Sequence, residues 1–262
     1  MQIWQQYGAV AALVVCLGSK AWAQAVPDVM PEAMPETLVV YTENYPPYNF
    51  AAADGTVVGK ATESVRQILD ESGIDYSIRL LPWARTMHFA QSQENALIYS
   101  LTWTPKRDPQ FDWLAPLAES NFYLHARADD MRIFTPQTIA SGTYSGTCVA
   151  NDLGCEFFLW VGMPPKKIIP IHKSLTGDFQ MVIAGRADLY ISDITANNRL
   201  RKSHGYDPAL TKPVMRLEGK TGFYLAAGTQ VSKAVRDKVK AAHQHLKAQG
   251  SYQVIAADTV PN

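Results

Sequence analysis

At 262 residues, 47% of them hydrophobic, the chain is long enough to bury a substantial core as one large domain or two smaller ones, and it is no disulfide-dependent miniature. Its 24 basic residues balance 24 acidic ones; with the first 25 residues set aside, where Lys20 is the only charged side chain, 23 basic residues face 24 acidic. That near-neutrality excludes the electrostatic footprint of a nucleic-acid or polyanion binder.

The N-terminus, MQIWQQYGAVAALVVCLGSKAWAQA, holds an apolar stretch from Gly8 to Gly18, too short to span a bilayer. Two small-x-small sites follow, Ala21-Trp22-Ala23 and Ala23-Gln24-Ala25. Residues 1–25 read as a cleaved secretory signal, although no Lys or Arg precedes the apolar core. Cys16 follows Leu13-Val14-Val15 and lacks the small residue that lipoprotein processing requires, so no lipid anchor is expected. Residues 26–36, VPDVMPEAMPE, form an extended, solvated leader. The fold is expected to begin at Thr37.

From there strands and helices alternate. LVVYTE is a buried-strand run, and KATESVRQILDESG sets Val65, Ile68 and Leu69 on one helical face before stopping at Gly73. DYSIRLL alternates as a strand; a helix from Trp83 to Ser92 leads to a strand from Asn95 to Leu101. This βαβαβ order predicts a parallel sheet covered by helices. A second set follows: GTCVA (strand), a helix from about Gly154, KKIIPI (strand), TGDFQMVIAG (helix), ADLYIS (strand) and a helix starting near Asp193. The pattern ends with the strand GFYLAAG and the long amphipathic helix of VSKAVRDKVKAAHQHLKAQG. Two α/β units and a return segment predict two lobes. Ligands of such sheets bind at the carboxyl ends of the strands, which directs attention to loops such as Ser100–Arg107.

With Cys16 cleaved, Cys148 and Cys155 in CVANDLGC are the remaining cysteines. An exported chain meets an oxidising compartment, and a disulfide is expected between them; buried thiols are the alternative. The histidines are scattered, with His243 and His245 on different helix faces, and neither a GxxxxGK phosphate loop nor a GxSxG elbow occurs. No metal or cofactor is expected.

The ordered stretches YTENYPPYNF, DGTVVGKATESVRQIL, SLTWTPKRDPQFDWL, AGRADLYISD and KAVRDKVKAAHQHLKAQGSYQVIA resemble the bacterial extracellular solute-binding proteins of family 3, as a divergent member. The resemblance runs from about Leu38 to Ala257. It implies the type II periplasmic-binding-protein-like α/β fold: lobe 1 over 37–124 and 223–262, lobe 2 over 125–222, and hinge strands near Tyr123 and Phe223. It further implies a monomeric periplasmic receptor that closes on a small polar solute, an amino acid or related carboxylate, and delivers it to an ABC transporter.

By the resemblance, Arg107 grips a ligand carboxylate through a bidentate pair, Ser100 and Thr102 hold the same ligand, and Asp193 takes its ammonium. Asp193 has a competing role as a helix N-cap. Tyr45 covers the ligand side chain and Trp83 falls near its pocket; Arg85 and Tyr48 are further candidates, while Trp103 and Trp113 are assigned to core or cleft rim. The sequence departs from the family where Ser or Thr hydroxyls usually face the ligand: here it reads Asn151-Asp152-Leu153-Gly154. Backbone N–H groups near Gly154 can still donate there, but an inward Asp152 would repel an anion. Two alternatives share the scaffold. A cyclohexadienyl dehydratase-like enzyme would need a carboxyl acid, for which Glu43, Asp152 and Glu156 are the candidates; a sensor would act in trans on a membrane partner.

Overall fold

The computed structural model of the protein describes residues 37–150, 152–172, 176–217 and 222–257. The expected signal (1–25), the leader (26–36) and Asn151 lie outside the described residues. The chain opens with β1 (Leu38–Thr42), a small hairpin of β2 (Phe50–Ala51) and β3 (Val57–Val58), α1 (Lys60–Ser72), β4 (Tyr76–Leu80), α2 (Trp83–Ser92) and β5 (Ala96–Thr102). Next come β6 (Phe111–Glu119), β7 (Phe122–Arg127), α3 (Pro136–Ala140), β8 (Gly146–Val149), α4 (Leu153–Trp160) and β9 (Ile168–Ile171). The last elements are α5 (Gly177–Ile183), β10 (Tyr190–Asp193), α6 (Ile194–Ser203), β11 (Thr211–Arg216), β12 (Gly222–Gly228) and α7 (Lys233–Ala248).

The first sheet has the order β4-β1-β5-β12-β6. β1 runs parallel to β4 and β5, with α1 and α2 as the connecting helices, and β12 is antiparallel to both its neighbours. Every residue of β5 is buried because helices cover both faces. Leu97 and Tyr99 pack with Val65, Ile68 and Leu69 of α1 and Val235 and Val239 of α7, whereas Ile98 and Leu101 pack with Ala90 of α2. Strict alternation would place Leu101 with Leu97 and Tyr99. It switches face because the β12 register passes from Tyr224↔Leu101 to Leu225↔Tyr99, leaving Ser100 as a bulge at φ 57°. α1 stops as its sequence predicts, on Gly73 in the left-handed conformation (φ 61°).

β6 ends at Glu119 and β7 pairs from Phe122 with β10 and β11, so the chain passes to the second lobe between those residues and returns after Leu217 to β12. The boundary expected at 124 falls within β7. β8 lies parallel to β9, and a parallel bridge from Gly146 to Leu189 sets β8 beside β10. The second lobe therefore repeats the strand order of the first, as β9-β8-β10-β7-β11. Cys148 on β8 and Cys155 on α4 form a disulfide, with Cα atoms 5.3 Å apart. No helix among the described residues is long and apolar enough to cross a membrane.

Candidate functional site

The carboxyl ends of β1, β5, β8 and β10 open on one cleft between the lobes, of about 940 Å³ with its mouth included. In the first lobe, Glu43 and Tyr45 follow β1, Trp83 starts α2, and Ser100, Thr102 and Arg107 come from β5 and the loop after it. The bulge turns Ser100 so that its hydroxyl donates to Asn49 Oδ1 at 2.5 Å, while Asn49 Nδ2 donates to the Glu43 carbonyl at 2.6 Å. This pins the Glu43 loop to β5. In the second lobe, Asp152, Leu153 and Gly154 form the turn into α4, and Asp178 and Arg201 reach the cleft from α5 and α6.

Arg107 is 2% exposed. Its Nη1 donates to the Thr102 carbonyl at 3.2 Å, its Nε lies 3.1 Å from Glu156 Oε2 of α4, and its guanidinium sits 5.1 Å from the Trp83 ring centroid. Nε and Nη2 are both buried without a hydrogen-bond partner, the Glu156 contact being an ion pair. Burial lowers the Arg107 pKa, and Glu156, Asp152 and Glu43 oppose that shift. Arg201 is equally enclosed: its Nη2 lies 3.3 Å from Asp178 Oδ1, with the Phe179 and Tyr190 ring centroids at 4.4 and 5.1 Å. Burial raises the Asp178 pKa and Arg201 counteracts it.

Glu43 and Asp152 face the cleft from opposite lobes. Burial, reinforced by the charge of Asp152 and partly offset by Arg107, pushes the Glu43 carboxyl up to about 8. The Asp152 pKa is also raised, chiefly by burial, although Asp152 Oδ1 accepts from Leu153 N at 2.6 Å and so caps α4. Among the described residues no group of three His, Cys, Asp or Glu side chains is placed to hold a metal ion.

The family model for bacterial extracellular solute-binding proteins, family 3, matches residues 38–259. The chain belongs to that family. Three solved structures illustrate the likeness of this family 3 protein's fold. A histidine kinase sensor domain with similarity to periplasmic binding proteins is 19% identical, with a TM-score of 0.68 over 82% of this chain and 92% of that one. An ancestral arginine-binding protein bound to arginine is 18% identical, with a TM-score of 0.66 over 84% and 96%. An arginine-, lysine-, histidine-binding protein from Geobacillus stearothermophilus is 16% identical, with a TM-score of 0.63 over 82% and 91%. No curated protein matches in sequence. The fold is the two-lobe, type II periplasmic-binding-protein-like architecture that the motifs imply.

Of the residues singled out from this family 3 sequence, Tyr45, Trp83, Ser100, Thr102, Arg107 and Gly154 line the cleft. Asp193 does not line it. It is buried at the start of α6, where its Oδ2 accepts from Tyr45 Oη across the lobes at 2.5 Å. Tyr48 is buried under the cleft, its ring centroid 5.9 Å from that of Tyr45 and 4.8 Å from that of Phe223. Arg85 is exposed on α2, 5.8 Å from the Phe89 ring centroid, outside the lining. Trp103 meets Trp160 of the other lobe edge to face at 6.3 Å, and Trp113 meets Tyr224 at 5.4 Å. Sequence reasoning missed Asp178, Arg201, Phe122 and Phe223 as lining residues. Asp178 follows a predicted strand, and the strand-end rule points to it; Arg201 lies inside a helix whose charged sequence resembles a solvated face.

Proposed function

We propose that the protein is an exported receptor that closes its two lobes on a small polar, amino-acid-like solute and passes it to an ABC-type membrane transporter. The observation that carries this reading is the cleft itself. Both lobes bury charged side chains of opposite sign around it, and Arg107 keeps a buried donor, Nη2, without a partner. An unsatisfied buried donor is costly unless an acceptor arrives from outside the chain. A solved neighbour of this fold is an ancestral arginine-binding protein bound to arginine. Cleavage of the N-terminal signal would leave a monomer in the periplasm.

Calorimetry against amino acids and small carboxylates is expected to find a ligand. Arg107→Ala should lose about 2 kcal/mol of its binding free energy, roughly thirtyfold in affinity. Unchanged affinity in that variant would remove Arg107 from the site. The likeness to a sensor domain favours a second reading, signalling in trans to a membrane partner. In that case deletion of the protein should abolish solute-dependent transcription and leave uptake of radiolabelled solute intact. The enzyme alternative draws on Glu43, whose carboxyl at about 8 is protonated at neutral pH in the empty cleft, as a general acid requires. Product formed from prephenate or arogenate would decide for it.

A further inference from the structure

A guanidinium grips a carboxylate through two parallel N–H donors, and every such pair on Arg107 uses either Nε with Nη2 or Nη1 with Nη2. Both edges already have one corner engaged within the protein. Nη1 donates to the Thr102 carbonyl, and Nε faces Glu156. Nε and Nη2 both lack a hydrogen-bond partner, but Glu156 Oε2 already lies 3.1 Å from Nε, so a solute carboxylate gripping that edge at two points would meet an anion, whereas a single acceptor oxygen at Nη2 would not.

The charge balance points the same way. Glu156 collects Arg107 Nε at 3.1 Å, Thr104 Oγ1 at 3.0 Å and Lys106 Nζ at 3.5 Å, three partners from one loop of the opposite lobe. Its position is fixed, because the preceding residue, Cys155, is tied by the disulfide to β8. Arg201 is matched in the same manner by Asp178. With each guanidinium paired inside the protein, the acids facing the cleft with no ion pair among the described residues are Glu43 from one lobe and Asp152 from the other. Two carboxyls on opposing walls cannot both ionise without repelling each other, and a cation between them lets both carry charge and draws the walls together.

Building on the receptor reading, we propose that Glu156 sets the solute class: by neutralising Arg107 from across the cleft it removes the demand for a solute carboxylate, and leaves Glu43 and Asp152 to select an ammonium or guanidinium group. The solute is a small organic cation with one acceptor oxygen for Arg107 Nη2. That oxygen belongs as readily to a carboxamide as to a carboxylate.

Calorimetry on the purified protein with paired probes tests this: arginine against argininamide, lysine against lysinamide, with glutamine and glutamate beside them. The cationic probes should bind, each amide within about threefold of its acid, because no charge on Arg107 is left to reward the carboxylate. Glu156→Gln restores that charge and should shift the acid-over-amide preference toward the acid by about tenfold or more. Glu43→Gln and Asp152→Asn should weaken acid and amide alike. A wild-type protein that prefers the acid tenfold or more, an unchanged ratio in Glu156→Gln, or binding of glutamine or glutamate in preference to the cations would each overturn the proposal and leave the receptor reading in place. The wild-type comparison needs no variant to fold. If no probe binds, both readings fall.

Discussion

Glu43 stands where β1 delivers the chain into the cleft, and its surroundings move its carboxyl from 4.5 to about 8. The empty folded protein therefore holds a proton at pH 7 that the unfolded chain has released. Stability from this group is fully present below about 4.5 and is lost as pH rises through about 8, with a slope of at most about 1.4 kcal/mol per pH unit. Glu43→Gln keeps the neutral shape and removes the titration. Denaturant midpoints at pH 5, 7 and 9 should show the variant level with wild type at the acid end and increasingly more stable toward the alkaline end; a constant gap would show that Glu43 titrates normally. On the proposed reading the same group would make binding of a cationic solute release a proton, so affinity should tighten between pH 6 and 8 in wild type and stay flat in Glu43→Gln. Arg107 was legible in the sequence because a planar donor fork after a strand in TPKR matched a known motif. Its partner Glu156 was not, because that contact exists only once two separate loops meet across the lobes.

At the scale of elements, periodicity located the strands and helices that carry a strong apolar pattern, such as α1, β5, β12 and α7, nearly to the residue. It did not mark β6, β7 or β11 as sheet strands. β6 is broken by Pro116 and β11 by Pro213, and β11 also mixes Lys212 and Arg216 with its apolar residues, so no alternation stands out. The Ser100 bulge was invisible for a related reason: an uninterrupted buried run gives no sign of which residue lacks a partner across the ladder. The spacing of the two cysteines was legible, and their bond anchors the first turn of α4 beside the cleft. Closing a loop with a sequence separation of 7 stabilises by about 2.5 kcal/mol on chain-entropy grounds. Replacing both cysteines by serine should lower the denaturant midpoint accordingly. A loss well below about 1 kcal/mol would mean that α4 is held by its packing on β8 alone.

For the molecule as a whole, the proposed receptor reading makes the balance between open and closed lobes depend on a few cross-lobe contacts. Tyr45 donates to Asp193, the 104–107 loop holds Glu156, and Trp103 meets Trp160. Glu43 and Asp152 line the same cleft from the two lobes. A two-state hinge responds only to the difference in a ligand's affinity for its two states, so on the proposed reading a cation seated between those acids would favour closure by letting both ionise against it. The connection between Glu119 and Phe122 is where such a hinge would turn. Tyr45→Phe isolates one of the cross-lobe contacts, since it removes the hydroxyl that reaches Asp193 and keeps the ring that packs on Tyr48 and Phe223. Small-angle scattering should then report a larger radius of gyration than wild type for the empty variant, and the same radius when solute saturates both. Affinity should fall by about tenfold, the share of the closing free energy that one charge-assisted hydrogen bond supplies. An empty Tyr45→Phe protein as compact as wild type would assign the closing force to Glu156 instead. Glu156→Ala should then open the lobes, because it removes the carboxylate on which three residues of the opposite loop converge.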